Sequence, residues 1–260
     1  MTITKLDFAD VPLAFNEAVH ELAAAVLANR PVCLSGSPGF GKTLLARRAS
    51  GLITLDDHAR RWLTIEYKAL GLMDHRDHCE VTEAPFRAPH HTVSAAAMTG
   101  ATNTAAHDVR CMTVTNPRCV CPGSTPRATR GVYTVTRPGE VALGRFGVLY
   151  LDDVTEFTRS TVEAIAHARR TTYAAPALIV SANPCACGWY GVPEGALAKA
   201  CACGEASRER WNVRLATMLD VLGVKTTINV PLVGLVDLRG QAPRLGISTA
   251  VLSLLYGGVA

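Results

Sequence analysis

Hydrophobic positions fall into short blocks separated by polar and glycine-rich stretches, and the spacing inside each block predicts its element. Residues 12–29 (PLAFNEAVHELAAAVLAN) have a helical period: Leu13, Val19, Leu22 and Val26 share one face, Glu17 and Glu21 another. Residues 31–35 (PVCLS), 147–151 (GVLYL), 177–181 (ALIVS) and 226–230 (TTINV) are short apolar runs that predict buried strands. Helices are predicted after the glycine-rich turn that follows the first strand and over residues 158–170. Residues 53–80 are polar and weakly periodic and predict a surface helix or two. Residues 99–139 are rich in Thr, Asn, Pro, Gly and Arg and predict a long insertion with one hairpin around 131–136 (GVYTVT). Apolar strands alternating with helices predict an α/β fold whose parallel sheet is covered on both faces.

The turn after the first strand carries candidate chemistry. Gly36, Ser37, Pro38, Gly39, Phe40, Gly41, Lys42 and Thr43 fit G-x-x-x-x-G-K-[ST] between a predicted strand and a predicted helix. Glycines let the backbone wrap a phosphate and aim successive N–H groups inward, and the following helix adds the positive end of its dipole. Lys42 can reach the β- and γ-phosphates, and the Thr43 hydroxyl can ligate Mg²⁺. Downstream, the apolar Leu149-Tyr150-Leu151 ends in Asp152 and Asp153, a Walker B pattern. Asp152 would hold Mg²⁺ through water and Asp153 would orient the attacking water. Asn183, at the tip of the next strand, is placed to hydrogen-bond the γ-phosphate or that water; its alternative is a turn-forming Asn-Pro.

Composition acts mainly by exclusion. Of 260 residues, 48% are hydrophobic and 18% charged, enough for a sizeable core and too apolar for global disorder. No apolar run approaches the roughly 20 residues of a membrane helix, and the start has no secretory pattern, which predicts a soluble cytoplasmic protein. The net charge of +4 is mild, but residues 84–150 hold seven arginines against Asp108 and Glu140. That stretch is either a solvated loop face or a phosphate-binding surface.

Nine cysteines, an odd number, argue against a disulfide framework. Cys185-Ala186-Cys187-Gly188 and Cys201-Ala202-Cys203-Gly204 are two C-x-C-G units with thirteen residues between Cys187 and Cys201. Four thiolates at such spacing can close a tetrahedral Zn²⁺ site; unmetallated cysteines and an iron–sulfur cluster are the alternatives. Cys111, Cys119 and Cys121, with Cys79 or His107, form a second candidate cluster. Cys33 reads as plain core. His90 and His91 are read as structural, with metal or phosphate contact as the alternative.

Several segments together resemble the magnesium-chelatase-like AAA+ ATPases. They are Pro85-Phe86-Arg87-Ala88-Pro89-His90-His91-Thr92, Arg137-Pro138-Gly139-Glu140-Val141-Ala142-Leu143, residues 147–153 (GVLYLDD) and Ala182-Asn183-Pro184-Cys185-Ala186-Cys187-Gly188. The resemblance covers about residues 12–231, and the paired cysteines bring it closest to the ComM branch, hexameric helicases of branch migration. It implies a P-loop AAA+ core over residues 31–231, behind an N-terminal helical segment over 1–30. Insertions are expected at about 85–139 and, bound by cysteines, at 184–204. Nucleotide is expected between subunits of a ring, with Lys42, Thr43 and Leu44 in Walker A, Asp152 and Asp153 in Walker B, and Asn183 as sensor 1. Residues around 90–135 fall where this clade carries pore-facing insertions, so arginines there would meet DNA phosphates.

The departures shape the functional expectation. Asp153 stands where the family usually has Glu, and the shorter arm sets the carboxylate further from the water. Val221 stands at the expected finger arginine, a group worth 10³–10⁵ in rate elsewhere, which leaves Arg214 as the remaining candidate. The helical lid is expected to be largely absent, with residues 232–260 as its remnant. The leading expectation is an ATP-driven, oligomeric, DNA-acting motor, a hexamer in the family's pattern, using ATP, Mg²⁺ and structural Zn²⁺ with weakened hydrolysis. A nucleotide-switched assembly module, with a protein partner and little hydrolysis, is the second. A chelatase-type remodelling chaperone is the third, and the paired cysteines argue against it.

Overall fold

Alternate residues of the central strands face opposite sides, and both sides are buried. The computed structural model describes residues 15–74, 79–108, 130–192 and 200–231, with 102–108 and 130–136 as backbone only. The chain runs through α1 (Asn16–Leu27), β1 (Val32–Ser35), α2 (Lys42–Ser50), α3 (Asp57–Ala69), β2 (Phe86–Arg87) and α4 (Ala95–Thr99). The antiparallel β3 (Gly100–Asp108) and β4 (Arg130–Pro138) follow, then α5 (Glu140–Leu143), β5 (Val148–Leu151), a 3₁₀ turn (Val154–Glu156) and α6 (Arg159–Thr171). β6 (Ala177–Ala182), α7 (Glu205–Leu222) and β7 (Thr226–Asn229) complete it.

Five strands form one sheet in the order β2-β5-β6-β1-β7, and every pairing is parallel. Val32, Leu34, Tyr150 and Ile179 bury one face under α1 and α2, against Leu22, Val26, Leu45 and Ala49. Cys33, Leu149, Leu151, Leu178 and Val180 bury the other under α6 and α7, against Val162, Ile165, Met218 and Leu222. This two-sided burial is why the strand sequences are apolar without alternation. Register pairs Ser35 with Ala182 and Leu151 with Val180, so β1, β5 and β6 all end at one edge of the sheet. Ligand sites of open parallel sheets form at that edge.

The four predicted strands are present, as is the helix expected over residues 158–170. The first helix starts at Asn16, and the Leu13 expected on its face lies outside the described residues. Three elements depart from expectation. The hairpin is longer than 131–136: it pairs Gly100 with Pro138 through to Asp108 with Arg130. Its first strand, ATNTAAHD, has too few large apolar residues to announce itself. Helix α7 was not foreseen, because over 18 residues it buries only Met218 and Leu222. Edge strand β2 is two residues long, held where Arg87 Nε and Nη2 donate to the Glu140 carboxylate at 2.6 and 2.7 Å. Residues 232–260 and Cys111, Cys119 and Cys121 lie outside the described residues, as does the His107 side chain. Among the described residues no helix is long and apolar enough to cross a membrane.

Candidate nucleotide site and thiol centre

The glycine-rich turn leaves the end of β1 and enters α2 through Gly41, whose φ of +85° only glycine adopts without strain. No side chain caps α2, so its first-turn N–H groups are left to a ligand. Lys42 is buried beneath the turn. Its Nζ donates to Gly36 O at 2.6 Å, Ser37 O at 3.1 Å and Asn183 Oδ1 at 2.9 Å. Burial pushes its ammonium below the ordinary lysine range, against the pull of Asp153 and Asp152.

The two carboxylates stand at the end of β5. Asp152 Oδ1 accepts from Ser181 Oγ at 2.6 Å and from Tyr150 Oη at 2.7 Å. Tyr150 Oη also lies 3.3 Å from Thr43 Oγ1, so one buried phenol joins both expected Mg²⁺-holding side chains. Burial pushes that phenol above the ordinary tyrosine range. Asp153 adopts φ +48°, ψ +68°, and its N–H donates to Ser181 Oγ at 2.9 Å. A left-handed non-glycine residue at this turn is strain of the kind found at functional sites. Burial, and then the charge of Asp152, raise the Asp153 carboxyl above the usual aspartate range.

These groups converge on one cavity of about 320 Å³ lined by Lys42, Thr43, Asp152, Asp153 and Asn183, with Pro38, Gly39 and Gly41 of the turn. Asp153 Oδ1 is buried there with no hydrogen-bond partner among the described residues. Uncapped N–H groups, a buried ammonium, a hydroxyl facing a carboxylate and this orphaned oxygen together fit a magnesium triphosphate. A larger cavity, about 660 Å³, lies around Arg47, Ile53, Arg60 and Glu83 and holds none of these groups. Gly36 and Ser37 contribute carbonyls to Lys42, and Phe40 packs on the core beside α1. Leu44 is exposed and does not line the cavity.

Arg214 is not among the residues of the cradle: its Nε donates to Thr155 O at 2.8 Å, tying α7 to the 3₁₀ turn of its own chain. Val221 packs against the α6 side of the core. Two arginines of the basic stretch are also committed: Arg87 to Glu140, and Arg145 to Glu66 at 3.3 Å with its guanidinium over Trp62. His90 and His91 pack ring to ring, centroids 4.0 Å apart, and His91 meets the edge of Phe157. Cys33 is fully buried on β1, which pushes its thiol up to about 12.

The second site adjoins the first. Sγ of Cys185 lies 3.3 Å from that of Cys187 and 3.7 Å from that of Cys201, and Cys187 and Cys201 are 3.6 Å apart. With Cys203, all four sulfurs fall within 4.8 Å of one another. A tetrahedron of Zn–S bonds of about 2.3 Å has edges of about 3.8 Å, so the thiols already stand near the spacing that one ion requires. At Cys187 desolvation pushes the thiol up, but hydrogen bonds from the Trp189 and Ala202 backbone and from the Cys185 and Cys203 thiols together outweigh it and the value falls to about 6. Arg208 Nη1 donates to Cys203 O at 3.0 Å and stacks over Tyr190, and Trp211 Nε1 donates to Asn183 O at 3.0 Å.

Three contributors escaped the sequence reading. Tyr150 was available: it stands two residues before Asp152, hence on the same side of the strand. Ser181, in the neighbouring strand, shares that signal. Trp211 acts through a contact across the fold and had none; Gly188 reads as the turn residue of the first cysteine unit, but its approach to Pro38 had no signal in the sequence.

Residues 7–111 and 122–233 match the family described as magnesium chelatase, subunit ChlI. The chain is 30% identical over 253 residues to an uncharacterized protein of Mycobacterium tuberculosis, covering 92% of this chain and 40% of that one. It is 28% identical over 160 residues to competence protein ComM of Haemophilus influenzae, covering 62% of this chain and 25% of ComM. The chain therefore spans less than half the length of these relatives. The complex between subunits BchI and BchD of magnesium chelatase aligns with a TM-score of 0.48 at 15% identity, over 96% of this chain and 70% of that chain. The family match runs through the glycine turn, the acid-tipped strand and both cysteine pairs, and the chain belongs to the magnesium chelatase subunit ChlI family.

Proposed function

We propose that the chain is the ATP-binding AAA+ module of an oligomeric, DNA-acting motor with weakened hydrolysis. The observation that carries the reading is the convergence of Lys42, Thr43, Asp152, Asp153 and Asn183 on one cavity at the strand ends. The α2 N–H groups would hold the β-phosphate. Lys42 would turn from the loop carbonyls to the β- and γ-phosphate oxygens, a stronger acceptor set for a buried ammonium. Thr43 and Asp152 would hold Mg²⁺, which supplies charge neutralisation at the phosphates. Asp153 would take its orphaned oxygen to the attacking water, and Asn183 would report the γ-phosphate to the turn behind it. Cys185, Cys187, Cys201 and Cys203 would hold one structural Zn²⁺; their mutual spacing favours a single ion over a multinuclear cluster.

The DNA-acting part rests on the ComM relative and on the arginines of the 85–139 segment, and a cytoplasmic ring, in the pattern of a hexamer, is part of the same proposal. A second reading, a nucleotide-switched assembly module, is favoured by one observation: Val221 faces the core and Arg214 is bonded to Thr155, so neither is free to act as a finger without rearrangement. ATP turnover and solution mass, measured with and without single-stranded DNA, separate the two. DNA-stimulated turnover that disappears in Lys42→Ala supports the motor. ATP-dependent assembly with negligible turnover supports the switch.

A further inference from the structure

We infer that the thiol-held ion is a buttress for the nucleotide cradle, so that nucleotide affinity depends on the metal state of Cys185, Cys187, Cys201 and Cys203. This deepens the reading above and rests on it. Two contacts join the sites. Gly188, with φ +82°, lies so close to the glycine-rich turn that a Cβ there would sit 2.7 Å from Pro38 Cγ and Cδ. The Asn183 carbonyl accepts from Trp211 Nε1 while its side-chain oxygen accepts from Lys42 Nζ at 2.9 Å.

These contacts belong to a closed circuit. From Asn183 the chain passes through Cys185 and Cys187 to Gly188. The ion would connect those sulfurs to Cys201 and Cys203. Cys203 leads into α7, where Arg208 bonds back to Cys203 O and stacks on Tyr190, and one helical turn further Trp211 returns to Asn183. Little else closes the circuit. Among the described residues between β6 and α7, only Cys185 and Gly188 are buried, and no strand or helix forms there. Remove the ion and the remaining cross-links are single polar contacts at a half-exposed surface. Asn183 and Pro38 would then lose their backing, and a phosphate cradle depends on fixed geometry.

Linkage makes the effect reciprocal: whatever factor the ion contributes to nucleotide affinity, nucleotide contributes to metal affinity. Couplings of this kind are typically about 5- to 150-fold, and about tenfold is the expectation here.

The test uses the full chain. Zinc and iron per chain are measured by mass spectrometry. The affinity for a fluorescent, non-hydrolysable ATP analogue with Mg²⁺ is measured before metal removal by a zinc-selective chelator, after it, and after zinc is restored. The expected result is one ion per chain, an affinity about tenfold lower without it, and recovery on re-addition. Gly188→Ala keeps all four thiols and pushes directly on Pro38, so it should lower nucleotide affinity with the ion still bound. This arm tests the contact between the two sites where chelation unfolds the chain. Equal affinity with and without the ion, or in Gly188→Ala, overturns the buttress. Absence of a stoichiometric ion overturns the metal centre. One bound ion with no nucleotide binding in any state overturns the nucleotide reading instead.

Discussion

In the cradle, every functional side chain stands at the end of a paired strand or in the first turn of a helix packed on the core; in the thiol centre next to it, none does. Lys42 opens α2, Asp152 and Asp153 follow β5, and Asn183 follows β6, so sheet register fixes their mutual distances. The thiols sit on irregular backbone, with Cys185 alone of the four fully buried. Hydrophobic burial therefore shapes one site, whereas in the proposed reading a bound ion would shape the other. Perturbing the core should damage both, whereas perturbing either site's chemistry should damage that site first.

The largest expected effect breaks the scaffold beneath both. Leu149 is fully buried on β5, paired with Arg87 on one side and Leu178 on the other. Leu149→Ala should lower unfolding free energy by about 2–5 kcal/mol in denaturant titration. Zinc content and nucleotide binding should then both track the folded fraction. A variant that keeps full nucleotide affinity after losing its zinc would contradict the common scaffold.

Next is Lys42→Ala, which attacks the cradle alone. Two contacts from a charged donor, at about 1.5 kcal/mol each, correspond to roughly 100-fold in affinity for an ATP analogue. Zinc per chain, measured without nucleotide, should not change, since none of the lysine's hydrogen bonds reaches a thiol. Nucleotide affinity equal to that of the unmodified chain would remove the cradle from consideration.

The same contrast explains what could be read from residues alone. The phosphate turn is a contiguous motif whose chemistry demands its spacing, and the strands carrying its partners are apolar because both faces are buried. The order of Lys42, Asp152, Asp153 and Asn183 along the chain was thus enough to place them together. The cysteine units were legible for the same local reason. Helix α7 was not, because its apolar stripe of Leu215, Met218, Leu219 and Leu222 is confined to its second half, and the rest is tied by side-chain bonds from Trp211 and Arg214 to backbone. The commitment of Arg87 and Arg145 to Glu140 and Glu66 depends on partners 53 and 79 residues away, which no count of arginines could reveal.

A smaller effect sharpens the cradle's own design. Tyr150→Phe deletes the hydroxyl that joins Asp152 to Thr43 and leaves the apolar ring against Phe86. One net hydrogen bond of about 0.5–1.5 kcal/mol predicts a rise of about twofold to twelvefold in the Mg²⁺ concentration needed for half-maximal nucleotide binding. Binding measured without Mg²⁺ should barely move. A loss of equal size with and without Mg²⁺ would mean that Tyr150 only supports the fold.

The smallest effect follows from Asp153, and its sign separates function from stability. Burial and the neighbouring Asp152 raise its folded carboxyl above the unfolded value, so the folded chain binds that proton more tightly. Ionised Asp153 is therefore a cost to the fold at neutral pH, relieved as pH falls from the raised folded value to the ordinary aspartate value. Asp153→Asn should be more stable than the parent at neutral pH, and that advantage should shrink across the same window in denaturant titrations. Under the proposed role turnover runs the other way, because the attacking water would need the carboxylate, so any ATPase activity should fade as the parent gains that proton. A pH-independent difference between Asp153→Asn and the parent would show that this carboxyl titrates normally, and that the strained turn holding it does not desolvate it.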